Sequence, residues 1–204
     1  MELNFEASGA LMKASLVMRD RETDSWWSIM TSQALAGEME GAELVELPFG
    51  EKTTWGAWRA QHPETEILSV DGREHEPQDS YSDYFASDRT FRDLEIGDKR
   101  LPPKEPVYAF WLDGRPHAVA QKLAEGGRFF ALDKGGRVFL YREEGAAIFA
   151  STLGFLAPED GSGQDTTSSG YLEYLRGSGA QRLQGFDTFW YSWVAINQDT
   201  ELLR

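Results

Sequence analysis

The densest cluster of reactive side chains is the run Asp20-Arg21-Glu22-Thr23-Asp24, flanked by Arg19 and by the indoles of Trp26 and Trp27. Carboxylates beside a guanidinium are what general acid–base chemistry or a cation site needs. The same residue types also build turns: Asp and Thr side chains accept backbone N–H bonds, and Arg21 can simply pair with Glu22 or Asp24. The spacing lacks the alternating oxygen ligands and central glycine of a calcium loop, which favours the turn. Arg19, Asp20, Arg21, Glu22, Trp26 and, from far along the chain, Arg100 are the candidate ligand-binding residues. Whether they share a pocket decides between a site and a turn. No catalytic residue is assigned.

Other chemistry is thinly represented. His62, His75 and His117 stand at no helical metal-pair spacing, and no His-Glu-x-x-His motif occurs. No metal and no cofactor is therefore expected; His62 reads as the end of a helix and His117 as a neighbour of an edge hairpin. Cysteine is absent, which excludes a thiol nucleophile, disulfides and thiolate metal sites. Gly-x-Ser-x-Gly is missing too, and the pairs Gly126-Gly127 and Gly135-Gly136 read as hairpin turns rather than phosphate loops. Trp26, Trp27, Tyr81, Tyr84, Phe85 and Trp111 have the character to line a groove for a sugar or an apolar ligand. Stacking contributes about 0.5–1.5 kcal/mol per aromatic pair beyond area burial; core packing is the competing reading.

Composition narrows the partners. The 204 residues carry 34 acidic and 20 basic side chains, for a net charge of −14, whereas a phosphate backbone calls for a positive stripe. Nucleic acid is excluded, and a small ligand or a protein is the expected partner. A hydrophobic fraction of 41% with 13% aromatics describes a folded globular chain. No apolar run approaches the roughly 18 residues of a membrane span. Met1 to Glu6 shows no signal-peptide pattern, so the chain as it stands reads as cytoplasmic. It enters a strand-like pattern at once, and we expect an upstream segment or a partner chain to complete its first half.

Elements that would position these residues follow from periodicity. Ala14, Leu16 and Met18 alternate with Ser15, Val17 and Arg19, as in a half-buried strand. Ser25 to Met30 reads as its hairpin partner across a loop of about five residues, and Ala42 to Leu47 as a further strand. Val107–Leu112 and Arg115–Ala120 flank Asp113-Gly114 as a two-residue hairpin, with Pro116 arguing for an edge. A second hairpin joins Phe129–Leu132 to Val138–Tyr141, Ala146–Thr152 is another strand candidate, and residues 157–170 read as a loop.

A sixteen-residue segment occurs twice. Thr53 to Leu68 returns as Thr188 to Leu203 at a constant offset of 135 residues, with identities at the threonine, both tryptophans, an alanine, Thr-Glu and the final leucine. Trp55 and Trp58, three apart, share one side of a helical turn; Thr53 or Thr54 caps it, and Pro63 stops it at His62. Residues Thr65 to Val70 then read as a strand. The unit predicts a duplicated fold, residues 1–70 and 107–204 joined by 71–106 within one compact unit spanning 1–204. Its four indoles are expected in the core, so that Trp58→Ala would cost about 3–5 kcal/mol. The fold class is mainly β, or β-rich α+β: antiparallel sheets in barrel-like halves with a few short helices.

The stretches Met18 to Trp27, Ala34 to Gly41, Thr54 to Thr65, Arg100 to Glu105 and Phe189 to Trp193 together resemble an uncharacterised prokaryotic family, domain of unknown function 3179. The resemblance implies a two-repeat, β-rich protein, often exported or lipid-anchored, with no activity to carry over. Longer members have a Cys-Pro-x-Cys-like motif upstream of the point matching Leu3; this chain has none. In the second half the Asp-x-x-Thr-x-Ser-x-Trp pattern is reduced to Asp165-Thr166-Thr167-Ser168-Ser169-Gly170-Tyr171, so any site is expected in the first copy.

Three functions follow. A non-catalytic binding or assembly module fits a chain with turns and aromatic surface but neither nucleophile nor ligand cluster. The alternative, implied by the resemblance, is an accessory to metal or redox chemistry acting with a cysteine-bearing upstream segment. The third is a carboxylate-dependent hydrolase working from the acidic turn.

Overall fold

Alternating short strands and glycine turns resolve into three open sheets in the computed structural model, which describes residues 1–45, 50, 52–69, 81–146, 148, 150–159 and 167–204. The first sheet is a meander of β1 (Phe5–Met12), β2 (Ser15–Asp20), β3 (Trp26–Ser28) and β4 (Gln33–Ala36), all antiparallel. A five-residue loop joins β2 to β3, as the spacing predicts. The alternation holds, with Ser15 and Val17 inside and Leu16 exposed. The Ser15–Val17 face also carries Met12 and Ser28, and it turns towards the second sheet, where the larger apolar surface lies. Residues 42–45 form a single bridge, Gln33 to Glu43, rather than a strand; the rest of the expected strand lies outside the described residues.

The second sheet has the order β10 (Gln184–Phe189), β5 (Pro106–Leu112), β6 (Arg115–Ala120), β11 (Glu201–Leu203). Asp113 and Gly114 adopt positive φ angles of 50° and 70°, the two-residue turn that suits strand twist. Contrary to the reading of Pro116, β6 is not an edge: β11 runs parallel beside it from His117 to Val119. Pro116 lies just short of that ladder, so its missing N–H is not called upon. The hairpin is buried on both faces. Tyr108, Phe110 and Val119 pack with Phe130, Val138, Leu140 and Leu183. On the other side, Val107, Ala109 and Ala118 meet Trp190, Trp193 and, from the first sheet, Met30.

The third sheet, β7 (Arg128–Ala131), β8 (Arg137–Tyr141) and β9 (Leu153–Leu156), is antiparallel throughout. Its third strand starts where the expected one at Ala146–Thr152 ends. Among the described residues four α-helices accompany the sheets: α1 (Trp55–Gln61), α2 (Ser82–Ala86), α3 (Ser168–Ser178) and α4 (Trp190–Val194). Helix α3 was not foreseen from the sequence. Its apolar positions, Tyr171, Leu172 and Leu175, cover the third sheet, but Gly170 and Gly177 dilute the helical signal. Thr167 caps it, accepting from Gly170 N at 3.2 Å. The expected loop around it falls largely at residues 160–166, outside the described residues.

The duplicated unit keeps its helix but not its environment. Thr54 caps α1, accepting from Ala57 N, and His62 ends it, as expected. Trp55 and Trp58 are exposed, however, while Trp190 and Trp193 are fully buried. Residues 65–69 form no strand, although their counterparts make β11. The expectation that all four indoles lie in the core is thus corrected for the first pair. The described side chains of α1 are exposed, whereas α4 packs against β5 and β10.

Candidate functional site

Asp20 ends β2, and its fully buried carboxylate is a hub of donors. It accepts from Thr23 N at 2.6 Å, from Thr23 Oγ1 at 2.9 and 2.8 Å, from Ser25 N at 3.2 Å and from Trp27 Nε1 at 2.7 Å. Burial alone would raise its pKa. The Trp27 indole, followed by the Thr23 and Ser25 donors, outweighs it and holds the carboxyl at about 2. Ser25 Oγ in turn accepts from Met39 N at 3.0 Å. Gly37 lets that loop close: a Cβ there would sit 2.6 Å from Ser25 Cα, and its φ is +100°. The Asp-x-x-Thr-x-Ser-x-Trp run and the Gly37 segment therefore knot the first sheet together. A carboxylate with this many donors and no solvent access has neither the pKa nor the reach of a general acid or base.

The neighbouring candidates face other partners. Arg21 pairs with Glu6 at 2.8 Å, not with Glu22 or Asp24; Arg19 pairs with Asp24. Glu22 is lowered by its bonds from Asn4 Nδ2 and Asn4 N, both at 2.7 Å. Trp26 is exposed opposite Arg19. Arg100 lies in the loop that precedes β5. It donates to Thr200 O at 2.8 Å, grips Asp98 at 2.7 Å and lies 5.2 Å from the Trp190 ring. The Asp98 carboxyl is lowered by those Arg100 bonds. Arg100 opens on a shallow cleft with Arg115, Asp199 and Glu201, none of them from the first sheet. Asp20 and Arg100 thus sit in separate parts of the fold.

The Arg100-Leu101-Pro102-Pro103-Lys104-Glu105 motif acts as a clasp. Lys104 Nζ donates to the carbonyls of Tyr84 and Ser87 and lies 3.9 Å over the Tyr84 ring. Pro103 and Glu105 carbonyls accept from Tyr191 and Trp190 amides. Tyr84 and Tyr191 hydroxyls meet at 2.7 Å, and burial, then this bond, raises the Tyr84 pKa. Of the aromatic groove candidates, Tyr84 and Phe85 pack against Phe189, Trp27 lies under Phe5, and Tyr81 and Trp26 are exposed. His117 is buried against Phe110, with Nδ1 2.9 Å from Arg115 O and Nε2 3.3 Å from Glu201 Oε2. That is a core position, not the side of an edge hairpin. Among the described residues no group of three or more His, Asp or Glu is placed to hold a metal.

A ligand-sized cleft lies elsewhere, between the end of the first sheet and the tip of the β5–β6 hairpin. Its volume is about 780 Å³, the size of a small-ligand pocket. Gln33 and Glu43 come from one wall, Asp113 from the hairpin turn, and Gln181 from the approach to β10; Trp111, Leu112 and Leu183 supply the apolar surface. Those four polar side chains make no hydrogen bond or ion pair among the described residues. Thr31 Oγ1 and Trp111 Nε1, buried in its wall, also have no hydrogen-bond partner among the described residues. Arg182, the cation among its described lining residues, donates to Gly50 O at 2.8 Å. Of these residues only Trp111 was among the sequence candidates. Isolated glutamines and acids carry no spacing signal, and Asp113 reads simply as a turn residue.

A family model described as "Protein of unknown function (DUF3179)" matches residues 1–200. No curated protein and no solved structure matches the chain.

Proposed function

The chain belongs to the DUF3179 family, whose description assigns no activity, and from that premise we propose that it is a non-catalytic binding module whose cleft takes a small hydrogen-bonding ligand bearing no negative charge. One observation carries this reading: Gln33, Glu43, Asp113 and Gln181 line a ligand-sized cleft, and their side chains have no hydrogen-bond or ion-pair partners among the described residues. Two carboxylates and two amides suit hydroxyl groups or an ammonium, and Trp111 supports an apolar face. Anions are disfavoured by Glu43 and Asp113, by the prior engagement of Arg182 and by the net charge of −14.

The test is a thermal-shift and fluorescence titration with three probes: maltose, spermidine and inorganic phosphate. Maltose or spermidine is expected to bind and phosphate is not. Asp113→Ala and Gln181→Ala should each weaken binding about tenfold, the equivalent of one hydrogen bond to a charged or desolvated group. Binding of phosphate alone, or binding unaffected by both substitutions, sinks the assignment.

A further inference from the structure

His117 on β6 sits between two oxygens, and their chemistry requires a proton. Its Nδ1 lies 2.9 Å from the carbonyl oxygen of Arg115, which can only accept, so Nδ1 carries a hydrogen. Its Nε2 lies 3.3 Å from Oε2 of Glu201, its register partner on β11. The two side chains are 4% and 8% exposed, and Oε2 has no hydrogen-bond partner among the described residues. A bare Nε2 would set a ring lone pair against a carboxylate oxygen in a site closed to water. One proton held by the pair removes that conflict, whether the ring or the carboxyl carries it. The Phe110 ring of β5, uncharged and stacked on the imidazole at 5.0 Å and 10°, suits a cationic ring.

We infer that this proton latches β11 onto β6: the strand is docked while the pair holds the proton and is released when the pair gives it to solvent as pH rises. Without it, Glu201 keeps Asp133 N on Oε1 at 2.9 Å and the partly exposed Arg115 Nη1 at 3.7 Å from Oε2, while Oε2 faces the ring lone pair. A buried, poorly compensated carboxylate is costly, and moving β11 is the least disruptive way to relieve it. Glu201–Leu203 forms the end of its sheet and pairs with β6 alone, so detachment breaks one three-residue ladder and carries Glu201 into water. It also draws Leu203 out of the core. The other charged side chains around the pair are Arg100, Asp133, Asp199 and Arg204, which line the shallow cleft beside Glu201. Two of each sign offset one another, and arginine and aspartate ordinarily titrate well away from neutral pH. The latch does not involve the proposed ligand cleft.

Hydrogen exchange in the full chain reads the latch. Protection of the hydrogen-bonded β11 amides, with the intrinsic base-catalysed rate divided out, is expected to fall about tenfold between about pH 6 and about pH 9. The ring-nitrogen NMR signals of His117 should move over the same range. Glu201→Gln sets an amide donor within reach of a bare Nε2, so it should keep β11 docked and make its protection independent of pH. Flat protection in the wild type overturns the proposal, and so does an unchanged pH dependence in Glu201→Gln. Should that substitution detach β11 at every pH, the wild type decides: ring signals and amide protection that change at the same pH support the latch, and changes at different pH overturn it.

Discussion

Trp193→Ala is expected to destabilise the protein by about 3–5 kcal/mol, while Trp58→Ala costs less than about 1 kcal/mol. The two residues occupy the same place in a duplicated segment, so propensity and local sequence contribute almost nothing to the difference. Trp193 is fully buried, in edge contact with Trp111 at 5.4 Å and with Phe186 at 5.8 Å, and its removal leaves a void between the hairpin and α4. Trp58 loses a bond from its Nε1 to Thr65 Oγ1 at 2.9 Å and a contact with the His62 ring at 4.1 Å, both in water. Denaturant unfolding of the two variants measures the gap directly. Equal costs would show that α1 is packed in solution as α4 is.

Asp20→Asn is expected to give the largest loss of stability of any polar substitution in the first sheet, and the loss should depend on pH. All the groups that reach this carboxylate are donors, so an amide puts N–H groups against N–H and O–H groups in a dry site. The folded-state pKa lies at about 2, below the ordinary value of 3.8. A depressed carboxyl contributes stability that is complete above the ordinary value and is lost as pH falls through the folded one. The gap between wild type and Asp20→Asn should therefore be constant above about pH 4 and close between pH 4 and pH 2. A gap that stays open at pH 2 would mean the ionised carboxylate is not what holds the turn. Binding at the cleft should be untouched in the fraction that stays folded, because Asp20 is not among its lining residues.

Much of this architecture was legible beforehand, and for local reasons. The Asp113-Gly114 turn, the caps at Thr54 and His62 and the five-residue loop after Asp20 depend on φ preferences and on side chains that reach only a few residues. The hydrogen bonds of the acidic turn are local in the same way: Thr23 and Ser25 are within reach of Asp20 in any compact loop. Strand position in a sheet was not legible. Pro116 argued for an edge because the sequence cannot show that β11 pairs only from His117 onwards. Nor could alternation along β2 tell which of its two faces is inside, since Val17 and Leu16 are equally apolar.

By itself, then, the sequence determined the secondary-structure alphabet, the turns and the absence of thiol chemistry, because each depends on residue type or on contacts a few positions apart. It also carried the recurrence of a sixteen-residue pattern, which is a property of the string. The tertiary structure decided what every copied or charged group is for. Glu201 and Glu66, or Trp193 and Trp58, are the same residue in the same local setting, and only a hairpin distant in sequence separates a core from a bare surface. The cleft was decided in the same way, since Gln33, Glu43, Asp113 and Gln181 become neighbours only when two sheets dock. Burial and desolvation set the strength of polar and apolar contacts, and both are properties of the packed chain rather than of its order.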